Sequence, residues 1–205
     1  MLWGGFIGSE LELRRKGGGA RLRGSFPYNR RAVLSDGGRT GRPRKEVIAP
    51  GAFAYRVERE DEDIHLLLGH DYSKPLASRG SGTLNLSDND DALIFEADIS
   101  SEIAETTHGR DALAMIDARL AVGLSPGFRI PPKRAVANAE RIEDEGFDPA
   151  NGAHNAVIRT VTAALLYELS IVTRPAYSDA QVEARNWAPE VIKVSPVNAL
   201  NRWRL

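Results

Sequence analysis

Apolar and polar residues alternate along much of this chain with a period of two, the pattern of half-buried β-strands. The clearest case is Gly82–Ile99. Leu84 and Leu86 alternate with polar residues, Ser87–Asp91 is a turn rich in Asp and Asn, and Leu93, Phe95, Ala97 and Ile99 alternate again. That order predicts a hairpin. Ile64–His70 predicts another strand, with Ile64, Leu66, Leu68 and His70 on one face and His65 and Leu67 on the other. Arg21–Tyr28 and Arg31–Ser35 predict strands, and Pro27 puts the first at an edge or a strand end. Glu46–Phe53 is a short extended run broken at Pro50-Gly51, after which Gly51–Arg59 fits a short helix. Late in the chain Val157, Arg159 and Val161 alternate, and Leu165–Val172 is largely apolar up to the stop at Pro175.

The period changes at Thr107–Leu120. Ala112, Met115, Ile116 and Leu120 follow helical spacing, Arg110, Asp111, Asp117 and Arg119 lie mostly opposite, and Gly123 is expected to end the helix. Lys133–His154 is polar and reads as a long loop or insertion. Asp179–Arg185 fits a short helix before a tail containing Trp and Pro. The sum is about six to eight short strands and one or two helices. It predicts a mainly β fold with α: a closed or nearly closed, mainly antiparallel β structure with helices packed on it. The expected organisation is a flexible segment over 1–20, one folded domain over 21–184, and a tail over 185–205.

Composition narrows the function classes. The 205 residues, 42% hydrophobic and 27% charged, suit a globular protein with a substantial core. A formal net charge of −1 gives no global attraction to nucleic acid or membrane. There is no cysteine, which rules out disulfides, thiolate metal sites and cysteine nucleophiles. Apolar runs are too short to span a bilayer, and the N-terminal stretch lacks the charged-then-apolar order of a signal peptide, so a cytoplasmic location is expected. Charge is uneven: from Arg14 to Lys45 basic residues are frequent and Asp36 is the one acid. A solvated lead-in is the favoured reading of that region, ahead of a surface for an anionic partner. The run KGGGA at Lys16–Ala20 reads as a flexible linker.

Three segments carry candidate chemistry. Leu120–Pro132 places Ser125 between Gly123 and Gly127, where small neighbours leave room for a substrate carbonyl. The letters fit Gly-x-Ser-x-Gly, but a helix precedes this serine and an extended segment follows it. That order is the reverse of the α/β-hydrolase elbow, and on the motif alone a turn serine capping the chain reversal is the favoured reading. His70 ends an apolar strand face, a position from which an imidazole reaches a cleft. Glu168 is the lone charge between Val161 and Val172. It is either on an exposed strand face, which the pattern favours, or buried with a hydrogen-bond partner. Asp63, Asp71 and Glu96 are alternative acids. Serine, histidine and carboxylate together are the parts of an activated-nucleophile site. The histidines lack metal-binding spacing, and no nucleotide-binding loop is present, so neither a metal nor a cofactor is expected.

The segments EVIAPGAF, IHLLLGHDYSKPLASRGSGTLNLSDNDDALIFEADI, VGLSPGF and YELSIVTRPAY occur in an order that resembles the prohead protease family of tailed bacteriophages and gene transfer agents. The resemblance runs from about Arg21 to Ala184. It implies a herpesvirus-protease-like fold, a closed antiparallel β-barrel core with surrounding helices. It also implies a serine endopeptidase that cuts scaffold and the N-terminal region of the major capsid protein inside the assembling prohead, in the host cytoplasm. Matched position by position, His70 would be the general base, Ser125 the nucleophile and Glu168 the third member. Gly127 and the backbone around Arg174 would serve the oxyanion or the substrate. Pro126 departs from the family pattern and removes an N–H beside the nucleophile. Capsid protein and scaffold are the implied partners, with no membrane and no specific nucleic acid, and a homo-oligomer is left open. The rival readings are an assembly or scaffold-binding protein that keeps the fold without catalysis, and a small-molecule serine esterase or amidase.

Overall fold

The computed structural model describes residues 2–3, 11–16, 18–121 and 123–173. In chain order its elements are β1 (Leu2–Trp3), β2 (Glu12–Lys16), β3 (Gly19–Pro27), β4 (Arg31–Ser35), β5 (Arg44–Ile48), α1 (Ala54–Val57), β6 (His65–Leu68), β7 (Asp71–Ser78), β8 (Leu84–Asp88), β9 (Ala92–Ile99), α2 (Ser101–Glu105), α3 (Thr107–Asp117), β10 (Gly123–Arg129), β11 (Glu140–Asp144), β12 (Phe147–Asp148), β13 (Ala153–His154), β14 (Val157–Val161) and β15 (Leu165–Val172). The mainly β expectation is met, and the β8–β9 hairpin lies where the alternating leucines put it.

The strands form a five-stranded sheet ordered β1-β10-β15-β6-β7, two four-stranded sheets ordered β2-β3-β9-β8 and β11-β14-β5-β4, and the ribbon β12-β13. Leu66, Leu124, Phe128, Leu169 and Ile171 of the first sheet share one core with Leu22, Phe26, Leu93 and Phe95 of the second. Phe53, just before α1, bridges the two: its ring centroid lies 6.3 Å from that of Phe26 and 5.7 Å from that of Phe128. Both are edge-to-face contacts, which add to the area buried. From α3, Ala112, Leu113 and Ile116 close one side of this core.

Three expectations need correction. Among the described residues no sheet closes into a barrel, because β4, β5, β11 and β14 build a sheet of their own and leave the edges of the other two unjoined. The mainly antiparallel expectation holds: nine of the eleven described joins are antiparallel, and only β5 with β14 and β6 with β15 are parallel. The linker reading of Lys16–Ala20 gives way to a hairpin, since β2 pairs with β3 and sets Leu13 opposite the buried Leu22. Strand β11 lies inside the expected loop. All five of its residues are exposed, so no apolar alternation marks it, and backbone pairing to β14 holds it. The expected helix at Asp179–Arg185 and the tail lie outside the described residues.

Candidate active site

Strands β10, β15 and β6 are neighbours in the middle of the five-stranded sheet, and their register sorts the side chains. Ser125 pairs with Ser170 and Gly127 with Glu168 across the antiparallel join, while Glu168 pairs with His65 and Ser170 with Leu67 across the parallel one. Paired residues share a face. One face, with Leu124, Phe128, Leu169 and Leu66, is core. The other carries Ser125, Gly127, Glu168, Ser170 and Leu67. Ser125 is 2% exposed, and Glu168, Ser170 and Leu67 are fully buried. Burial on both faces explains why the β15 segment reads as a near-continuous apolar run.

His70 reaches this second face through a turn. Strand alternation would have put it with Leu66 and Leu68 on the core face. Instead β6 ends at Leu68, which pairs with Asp71 at the start of β7, and Gly69-His70 form a two-residue hairpin loop. Both have positive φ, 67° and 62°, the combination that matches strand twist in such loops. A non-glycine residue in that region is uncommon, although histidine enters it more readily than most. Two bonds from β15 hold the turn: Gly69 N donates to Ile171 O at 3.0 Å and His70 N donates to Ser170 Oγ at 2.9 Å.

The ring of His70 then meets Glu168, with Nδ1 2.9 Å from Oε1. The pattern had favoured exposure for Glu168, and its complete burial corrects that. Two features make burial tolerable. Oε2 accepts from Ser170 Oγ at 2.6 Å, so each oxygen has a partner. Opposite it, Gly127 supplies the space: a Cβ there would lie 1.9 Å from Glu168 Oε1. A buried carboxylate, a histidine ring on it and a serine two residues along the neighbouring strand are thus assembled from three segments far apart in sequence.

A family model described as caudovirus prohead serine protease matches residues 35–193. The chain belongs to that family. Membership supports a serine peptidase with a capsid-maturation role, acting on capsid proteins within the assembling capsid. Searches of curated proteins and of solved structures find no match. No described helix is long and apolar enough to cross a membrane.

In this chain the other candidate acids have partners of their own. Asp71 accepts from the hydroxyl and N–H of Ser73, and these bonds with Lys74 lower its carboxyl to about 2. Asp63 accepts from Gly80 N at 2.7 Å and lies 3.7 Å from His65 Nε2. Glu96 is on the other sheet, 3.6 Å from Arg23. Among the remaining histidines, His108 Nε2 lies 3.0 Å from Pro75 O, and His154 is exposed on β13. Around the site, burial pushes the Tyr72 phenol up, the Glu168 charge acts the same way, and Arg129 and Arg56 oppose them. Arg56 and Arg129 both stack on the Tyr167 ring, 4.3 and 5.4 Å from its centroid. A groove of about 640 Å³ lies between the β6–β7 hairpin and α3, lined by Leu68, Ser73, Lys74, His108, Asp111 and Met115 among others. None of Ser125, Glu168 and Ser170 borders it. Arg174 lies outside the described residues. The reading of the sequence gave Ser170 no role of its own. The signal available was its i, i+2 spacing from Glu168, which puts both on one strand face.

Proposed function

We propose that this chain is a serine endopeptidase that cleaves the N-terminal region of the major capsid protein, scaffold, or both during prohead maturation. In this mechanism Ser125 Oγ attacks the scissile carbonyl and His70 accepts its proton. Glu168 holds the imidazole and stabilises the imidazolium, and His70 returns the proton to the leaving amine. Water then resolves the acyl-enzyme by the same steps. The observation that carries the reading is the 2.9 Å contact between His70 Nδ1 and Glu168 Oε1 on the sheet face of Ser125. With Nδ1 committed to a carboxylate, Nε2 is the nitrogen that serves as base.

Pro126 offers no N–H, so the oxyanion needs donors from elsewhere in the backbone. Residues around Arg174 are the proposed source. Gly127, proposed from the sequence for the oxyanion or substrate, has steric support for a different part in the same site, as the space that admits the carboxylate. The functional unit is proposed to span residues 21–184 and to act inside the assembling shell in the host cytoplasm.

The test is co-expression with the major capsid protein and scaffold, followed by mass spectrometry of their N-termini. The wild-type chain is expected to shorten at least one of them and to be labelled by a fluorophosphonate. Ser125→Ala should abolish both, a loss on the order of 10⁶-fold in turnover. Processing that survives Ser125→Ala would sink the proposal.

A further inference from the structure

Ser170 is a fully buried hydroxyl that bonds both Glu168 and His70 and has no place in the chemical steps above. We propose that Ser170 is the positioning residue of this active site: one hydroxyl fixes both the orientation of the Glu168 carboxylate and the backbone turn that presents His70. The inference rests on the triad assignment only for its consequence in catalysis. The positioning itself is a statement about hydrogen bonds.

The geometry is particular. Ser170 Oγ donates to Glu168 Oε2 at 2.6 Å and accepts from His70 N at 2.9 Å. A hydroxyl has one proton and can both donate and accept, so the two bonds use it in both senses at once. The donated bond holds Oε2, which sets the carboxylate plane and leaves Oε1 toward His70 Nδ1 at 2.9 Å. The accepted bond holds the amide of a residue whose φ is +62°, a conformation that requires support from its surroundings. The backbone of His70 and the carboxylate against its ring are therefore referenced to one atom. Of the neutral side chains, alanine supplies neither bond. Cysteine supplies weak versions of both, and threonine keeps both at the cost of a methyl group.

The variants Ser170→Ala, Ser170→Cys and Ser170→Thr test this alongside Glu168→Gln. The first readout is the proton resonance of the His70 Nδ1–H in the resting protein, which does not depend on turnover. The second is kcat and KM on a capsid-derived peptide. In the wild type the Nδ1 proton should be resolved at low field. Ser170→Ala and Glu168→Gln should shift it or lose it to exchange, and Ser170→Thr should retain it. Turnover in Ser170→Ala should fall about 10- to 100-fold with KM within about twofold, and Ser170→Thr should recover most of it. If Ser170→Ala does not fold, Ser170→Cys is read in its place with the same expected direction. An unchanged Nδ1 resonance in Ser170→Ala, or equal losses in the alanine and threonine variants, overturns the positioning role. A resonance that responds as expected in a protein that cleaves no capsid or scaffold sequence upholds it and sinks the peptidase proposal instead.

Discussion

At the scale of single residues, this site is a problem of placing a charge where water does not reach. A fully buried carboxylate is costly unless each oxygen is paired, and Glu168 meets that condition through His70 and Ser170. The remaining requirement is volume, met by having no side chain at position 127. Gly127→Ala would place its Cβ 1.9 Å from Glu168 Oε1, and the carboxylate rather than the strand backbone would yield. We expect that substitution to lower stability by about 2 kcal/mol and peptide turnover by about 100-fold. Thermal unfolding and peptide-cleavage assays read the two losses. A fully active Gly127→Ala enzyme would mean that the carboxylate position is not critical. The three residues proposed for the chemistry were legible as residue types in their motifs. The fit between Gly127 and Glu168 was not, because they are 41 positions apart (168 minus 127) and meet only through strand register.

At the scale of elements, α3 illustrates how period and boundary carry different information. The apolar spacing of Ala112, Met115 and Ile116 located the helix, and its start at Thr107 follows the cap at Thr106, whose Oγ1 accepts from Gly109 N at 3.1 Å. The end was misplaced. Gly123 does not stop the helix. Arg119 does, in the left-handed region with φ 56°. Arg119 N donates to Ile116 O at 2.9 Å and Leu120 N to Met115 O at 2.8 Å, the paired bonds of a Schellman motif. Leu120 is consequently 63% exposed rather than part of the apolar stripe. A motif that usually takes glycine was not visible because an arginine occupies it. Arg119→Gly should therefore stabilise the protein by about 1 kcal/mol, seen as a higher midpoint in urea with an unchanged slope. A lower midpoint would show that the exposed arginine contributes more than its backbone strain removes.

At the scale of the whole molecule, the third sheet is fastened by a buried ion pair. Glu145 Oε1 accepts from Lys45 Nζ at 2.8 Å, and Oε2 accepts from the N–H groups of His154 and Ala156. The pair thereby ties β5 to the chain around β13 and β14. Burial works against the Glu145 charge, but the bonds from Lys45, His154 and Ala156 outweigh it and lower the carboxyl from its ordinary value of about 4.5. A lowered value means that the folded state binds the proton more weakly than the unfolded chain. The contribution to stability is complete above about pH 4.5 and is lost as pH falls through the lowered value. Glu145→Gln is expected to cost on the order of 3 kcal/mol at pH 7. The gap to wild type should narrow steadily below the ordinary carboxyl value, because the protonated acid resembles the amide. Urea titrations of both proteins at several pH values measure this, and a gap independent of pH would rule the mechanism out.

The sequence by itself determined the mainly β class, the β8–β9 hairpin, the β14 and β15 strands, the body of α3, and the residue types of a serine, histidine and carboxylate site in the order of a known family. These follow from local rules, in which apolar period and turn composition act within about ten residues. Tertiary structure alone decided the open sheets, the polar strand β11, the burial of Glu168 and the turn that swings His70 off the core face. Each depends on a partner distant in sequence. Strand β11 has no apolar face and exists through its ladder with β14. Glu168 is buried because Gly127 leaves it room. His70 points toward it because a buried hydroxyl on the neighbouring strand holds the amide of that turn.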